Sequence, residues 1–364
     1  MRGPLLAQRG ATVTAHVSRV AVGWCPEFGE YAAPHGHPER SARSDAARAA
    51  IELLGSRVQS YPFSAATLEQ LAAIHHPRYI AEVARTVDAP APIEFDSDTV
   101  ATENAHRVAR LAAGAAIGAV DAVLRGDAER AFSLARPPGH HAEVDRAMGY
   151  CFFNNIAVAA QHALDAYGLE RVAIVDWDVH HGNGTQRAFE GRRDVLFVSS
   201  HQVKLFPGTG DHRARGRGAG LGYTLNLPLS HEARDEDLLG LHRHITLPVL
   251  EAFAPQLLLI SAGFDAHERD YTADQAITSR GFAELGALLF DAADRLCAGR
   301  TVLVLEGGYD LTGLRDSIAA VLEAALDPRP LLSRRAPSGK LELVIDALAE
   351  LHASAWPVLT RAKS

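Results

Sequence analysis

The stretch RVAIVDWDVHHGNG, Arg171 to Gly184, decides the fold. Its first half is a short apolar run rich in β-branched residues, the pattern of a strand buried on both faces. Directly after it come two carboxylates, two histidines and two glycines, so the charge sits at the carboxyl end of that strand. The same order recurs along the chain. AFSLA (131–135) runs into RPPGHH, LLLISAG (257–263) into FDAH, and TVLVLEGG (301–308) into Tyr309. VLFVSS (195–200) and SRVAVGW (18–24) read as further strands. Amphipathic stretches at 103–124, 153–167, 235–253, 280–298 and 312–326 read as helices, with a last one at 340–353. This alternation predicts βαβ units in a doubly wound, mostly parallel sheet. Open parallel sheets bind ligands outside the carboxyl ends of their strands. Four polar clusters at four such ends should therefore converge on one site.

Composition narrows the function. The 364 residues carry a formal charge of −8, with 47% hydrophobic and 22% charged residues, ordinary for a globular protein with a large core. Lysine occurs only at 204, 340 and 363, and no basic stripe tracks phosphates, so direct nucleic-acid binding is not expected. Cys25, Cys151 and Cys297 are scattered, which fits a reducing compartment better than a disulfide framework. No apolar run approaches the roughly 18 residues of a membrane span. The expectation is a cytoplasmic protein with an N-terminal tail at 1–16 and one domain over 17–364, compatible with a homo-oligomer.

The clusters carry a definite chemistry. Asp178 and His180 are two apart, so in an extended segment both project to one side, and Asp265 approaches from the end of another strand. One imidazole and two carboxylates make a three-ligand zinc set with a position left open. His140 and His141 are candidates for the base and acid of a hydrolysis. Tyr309, just past Gly307 and Gly308, can donate to a developing oxyanion. Asp176 and Asn183 can orient the histidines. Each residue alone has a plainer reading: an aspartate at a strand end is more often a cap, and a glycine pair is often only a turn. Their conjunction at four strand ends is what points to a metal hydrolase.

These residues also carry a resemblance. RPPGHHA (136–142), GYCFFNNIAVAA (149–160), DWDVHHGNGTQ (176–186), FPGTGD (206–211), SAGFDAH (261–267) and EGGYD (306–310), with GHPERSAR (36–43), resemble the histone deacetylase and acetylpolyamine amidohydrolase superfamily, in order from about residue 20 to 325. The resemblance implies an arginase-like three-layer fold and one Zn2+ held by Asp178, His180 and Asp265. It implies that His140 and His141 are the tandem catalytic histidines, His141 the base, and Tyr309 the transition-state tyrosine. It also implies a rim aspartate at Asp98, tunnel walls at Tyr150 and Phe206, and substrate-lining glycines at 149, 307 and 308. Arg40 matches an arginine near the inner acetate pocket. A structural K+ would lie at Asp176, Asp178, His180, Ser199 and Ser200, partly through backbone oxygens.

Asn183 stands where class I members carry Asp, Tyr150 replaces the commoner Phe, and Thr272 stands where polyamine-selective members place Glu. The implied substrate is an acetyl-lysine-like or other N-acetylated amine, with acetylpolyamine deacetylation as the alternative. A more distant rival is an arginase-type hydrolase with two manganese ions, because DAHERD (265–270) matches the spacing of ureohydrolases. A non-catalytic acyl-lysine binder would have lost Tyr309 or a ligand, and neither is lost.

Overall fold

The computed structural model describes residues 19–89, 91–328 and 339–360; the expected tail at 1–16 lies outside them. The chain runs β1 (Val20–Gly23), α1 (Ala42–Leu54), β2 (Gln59–Ser60), α2 (Leu68–Ala72), α3 (Pro77–Ala84), a small hairpin of β3 (Ile93–Glu94) and β4 (Val100–Ala101), and α4 (Ala105–Leu124). It continues with β5 (Arg130–Ser133), α5 (Asn155–Tyr167), β6 (Val172–Asp176), α6 (Asn183–Phe189), β7 (Val195–Gln202) and β8 (Thr224–Leu229). The last part holds α7 (Asp235–Leu241), α8 (Leu247–Phe253), β9 (Leu257–Ala262), α9 (Ser279–Cys297), β10 (Thr301–Leu305), α10 (Leu311–Leu326) and α11 (Gly339–His352).

Eight strands form one sheet in the order β2-β1-β5-β10-β9-β6-β7-β8, every pair parallel. Both faces are covered, which is why the central strands are continuous apolar runs. One face packs against α1, α9 and α10, the other against α4 and α5. The four strands whose ends carry chemistry, β5, β10, β9 and β6, are consecutive neighbours at the centre of the sheet. Convergence of the clusters is therefore a property of strand order.

Three local departures from the expected pattern have physical causes. The helix expected over 235–253 is α7 and α8 joined by a π-helical turn, His242–Thr246. Pro248 sits in the first turn of α8, where its missing N–H and ring disturb the regular ladder. The strand β8 was not expected, because Asn226 and Pro228 interrupt its apolar run; it lies at the sheet edge, where proline is tolerated. The third is the segment after β6, which bends instead of continuing extended. Asp176 Oδ1 accepts from Asp178 N–H at 3.1 Å, and Asp178 Oδ1 accepts from His180 N–H at 2.8 Å. Each aspartate turns the chain two residues on. Asp178 and His180 meet through these turns, and not through strand alternation.

Candidate active site

At the carboxyl ends of β6 and β9, the donor atoms of Asp178, His180 and Asp265 all lie within 4.8 Å of one another. His180 Nδ1 is 3.1 Å from Asp178 Oδ1 and 3.1 Å from Asp265 Oδ2. Both carboxylates are buried. Burial opposes charge on His180, yet its bonds to the two carboxylates outweigh this and push its pKa up to about 10. Asp265 is raised to about 6, first by burial and then by the charge of Asp178. Two carboxylates buried side by side need a positive charge between them. One nitrogen and two oxygen ligands suit zinc, so the donor set fits the ion that the resemblance implies.

The glycines make room for this cluster. A Cβ on Gly307 would lie 2.0 Å from Asp265 Oδ2, and one on Gly263 2.1 Å from Asp178 Oδ2. Gly307 N–H donates to Asp178 Oδ2 at 2.8 Å, and Val179 N–H to Asp265 Oδ1 at 3.0 Å. Backbone donors from neighbouring strand ends thus hold the oxygens that face away from the imidazole.

Behind the cluster sit the paired histidines. His140 Nδ1 bonds Asp176 Oδ2 at 2.9 Å. Burial disfavours its charge, but Asp176, Asp178 and Glu306 prevail and push it up to about 10. His141 Nδ1 bonds Asn183 Oδ1 at 2.8 Å. Asn183 Nδ2 donates to the His141 carbonyl, to Glu143 Oε1 at 2.9 Å and to Met148 Sδ, which fixes the amide with its oxygen towards His141. Nδ1 of His141 therefore carries the proton, and Nε2 of the neutral ring is the acceptor. Burial, then the neighbouring His140 and His180, holds His141 well below the ordinary imidazole range.

His141, His180, Gly149, Tyr150, Phe206, Tyr309 and Asp98 line a narrow cleft of about 100 Å³. Phe206 stands edge-on to His141, and Tyr150 edge-on to Tyr309 at 5.7 Å. Gly149 and Tyr150 both have left-handed backbone, at φ 56° and 68°. A Cβ on Gly149 would lie 2.4 Å from the His141 ring. Tyrosine tolerates this φ only under external restraint. Thr99 Oγ1 accepts its N–H, Asp96 accepts that of Gly149, and the His37 ring packs against Tyr150 at 4.6 Å. Asp98 is exposed at the mouth, its carbonyl bonded to His37 Nε2. Ser199 is the register partner of Asp176, and Ser200 Oγ donates to the Asp176 carbonyl at 3.3 Å, so both serines lie beside the end of β6.

One expected residue is displaced. Arg40 is exposed. The arginine beside Tyr309 is Arg43, with its guanidinium 4.9 Å from the ring centre. Arg43 is buried, donates to the carbonyls of Gly308 and Glu306, and pairs with Glu39, four residues earlier and ahead of the helix. The correction follows from helix geometry: α1 starts at Ala42, so Arg43 points inward while Arg40 precedes the helix at the surface. Three further residues have supporting roles that the deacetylase reading of the sequence did not assign. Glu306 accepts the N–H groups of Gly139 and His140 and the Ser261 hydroxyl, and burial raises its pKa to about 7. Glu39 is buried between Arg43 and Arg136. Asp270 binds the backbone of Tyr309. His181, set apart from the site in the sequence, is a loop support, bonded to Thr209 and Gln186.

The geometry bears on the rival reading. Asp270, the last residue of DAHERD, has both oxygens occupied by four donors. Among the described residues, Asp178, His180 and Asp265 form the one cluster suited to a metal.

Comparison with known proteins agrees with this architecture. Residues 37–325 match the model of the histone deacetylase domain. A histone deacetylase-like amidohydrolase of Pseudomonas aeruginosa is 39% identical over 303 residues, 80% of this chain and 80% of that protein. The human polyamine deacetylase HDAC10 is 37% identical over 339 residues, covering 89% of this chain and 50% of that one. The crystal structure of the HDA15 HD domain superposes with a TM-score of 0.88 at 35% identity, over 94% of this chain and 96% of that one. Sequence order, sheet order and the strand-end clusters thus agree, and the chain belongs to the histone deacetylase family.

Proposed function

We propose that this amidohydrolase removes acetyl groups from the amine end of linear alkyl arms such as acetyl-lysine, using one zinc ion. The observation that carries the reading is the convergence of three ligands, an unprotonated His141 Nε2 and Tyr309 at the floor of a cleft walled by Tyr150 and Phe206. Asp178, His180 and Asp265 would hold the ion, which when bound supplies Lewis-acid activation of water and of the amide carbonyl.

This chain's own residues do the rest. Tyr150 and Phe206 leave a slot that fits a narrow apolar arm and excludes bulk water. His141, held by Asn183, accepts the proton of the attacking water at Nε2 and returns it to the departing amine. Asp176 and Glu306 hold His140 and its backbone in place and keep the ring charged, which stabilises negative charge forming beside it. The Tyr309 hydroxyl donates to the carbonyl oxygen as its charge grows. Asp98 at the mouth accepts from backbone-like N–H groups of the substrate. A K+ held around Asp176, Asp178, His180, Ser199 and Ser200 would brace the loop that carries the ligands.

Acetylpolyamine is the second reading, favoured by the kinship with a polyamine deacetylase and by Tyr150. Against it, Thr272 puts no carboxylate at the position where polyamine-selective members carry one. The test is kcat/KM of the zinc-reconstituted protein on acetyl-lysine peptides, acetylpolyamines and longer acyl-lysines. Values for an acetylpolyamine far above those for every acetyl-lysine peptide would reverse the preference, and no turnover on any would reject the reading. The scattered cysteines and the bacterial relative support a cytoplasmic setting.

A further inference from the structure

Tyr309 follows two glycines, and Gly308 has φ 120°, a conformation closed to most side chains. A reactive side chain placed directly after such a hinge has little backbone restraint of its own. Two groups supply it from outside. On the carbonyl side, Arg43 binds the Glu306 and Gly308 oxygens. On the N–H side, Asp270 Oδ2 accepts from Tyr309 N at 2.6 Å and from Asp310 N at 2.9 Å. Asp270 Oδ1 accepts from Thr272 N at 3.0 Å and Thr272 Oγ1 at 2.7 Å. This carboxylate is 8% exposed, so its hydrogen bonds are poorly contested by water. Downstream, Asp310 caps α10 through Gly313 N–H and pairs with Arg269, which leaves the Tyr309–Asp310 peptide pinned at both ends.

We infer that Asp270 is a positioning residue for the reaction: it clamps the backbone of Tyr309 after the glycine hinge and so sets where the phenol hydroxyl meets the substrate. The inference rests on the proposed role of Tyr309. Asp270 touches no reacting atom, so its effect must pass through that ring. Thr272, bonded to the other oxygen, ties the loop beyond the clamp to the same carboxylate.

A double-mutant cycle tests this on the full-length, zinc-loaded protein. Asp270→Ala should lower kcat about ten- to a hundred-fold, the loss expected when a catalytic group is misplaced by about an ångström, with KM and zinc content nearly unchanged. Asp270→Asn keeps one acceptor oxygen and should fall between wild type and Asp270→Ala; it also serves in the cycle if the alanine variant does not fold. In a Tyr309→Phe background the hydroxyl being positioned is gone, so either Asp270 variant should cost less than about three-fold more. An equal loss of kcat in both backgrounds would overturn the inference while leaving the role of Tyr309 intact, as would a raised KM with kcat preserved. If Tyr309→Phe alone turns over normally, the proposed role of Tyr309 falls and this inference falls with it.

Discussion

The floor and the mouth of the cleft are built on different principles. The floor is made from the ends of four adjacent strands, and its polar groups are held by backbone N–H groups and by one another. The mouth is made from loops distant in sequence: Asp98 in the turn of the small hairpin, Tyr150 on a left-handed turn, and Phe206, which is 38% exposed. The difference teaches where rigidity is required. Metal ligands and proton-transfer groups need fixed geometry, and a central parallel sheet supplies it. Substrate recognition is left to segments that can vary without disturbing the core.

The largest effect should come from breaking the floor. The proposed ligand set of Asp178, His180 and Asp265 contains no redundancy, and removing one carboxylate leaves the others without enough charge to hold a cation. Asp178→Ala or Asp265→Ala is expected to abolish turnover and most zinc binding, with elemental analysis as the direct measurement. Full zinc in both variants would reject the ligand assignment.

Next comes Tyr309, where floor and mouth meet. Tyr309→Phe keeps the ring contacts with Tyr150 and Arg43 but removes the donor. Loss of one oxyanion donor typically costs about a hundred- to a thousand-fold in kcat. The expectation is a drop of that order with zinc content and melting temperature unchanged. A kcat within a few-fold of wild type would make Tyr309 a packing residue.

The same contrast explains what could be read from the sequence. The floor was legible because each cluster follows its strand directly, and strand neighbourhood did the rest. Asp176 and Asn183, read as orienting the histidines, bond His140 and His141 respectively. The arginine was misplaced by three residues because the start of α1 is set by tertiary packing and not by a strong cap. Helices α2 and α3 and strands β2 and β8 escaped because they are short, or carry Pro and Asn where an apolar pattern was sought, and α1 because its buried face is Arg43, Ser44 and alanines with a single Leu54. The supports of the mouth, such as His37 on Tyr150 and Thr99 on its N–H, join residues 51 or more apart in sequence, and no local pattern announces them.

A smaller effect should sharpen the reading of Asn183. Its Nδ2 donates to Glu143 Oε1, so an aspartate there would oppose two carboxylates at about 2.9 Å. This gives a local reason for the amide where class I members carry an acid. Asn183→Asp is expected to lower kcat about ten-fold, the scale of loss when the group that orients a working histidine is disturbed, and Glu143→Gln should restore part of it by supplying a donor. No recovery in the double variant would show that Glu143 is not what favours asparagine.

The smallest effect concerns the scaffold of the mouth and is read as stability. Buried His75 holds the loop that carries Tyr150: its Nδ1 bonds the Glu143 carbonyl at 2.9 Å, and its Nε2 accepts the Asn154 N–H at 2.8 Å. The ring must therefore be neutral, with the proton on Nδ1. A second proton on Nε2 would break that acceptor bond and face an N–H. Burial holds its pKa down at about 4, against 6.5 for an ordinary histidine. Because the folded pKa lies below the unfolded one, the unfolded chain takes up the proton first. The stability from this group is fully present above about pH 6.5 and is lost as the pH falls towards about 4, where the loss levels off. A shift of this size corresponds to roughly 3 kcal/mol. His75→Gln removes the titration while other buried histidines cancel in the comparison. The stability gap between wild type and variant, measured by urea denaturation, should narrow from pH 8 to pH 4.5 by an amount of that order. Parallel curves over this range would mean that His75 does not hold the mouth through a neutral imidazole.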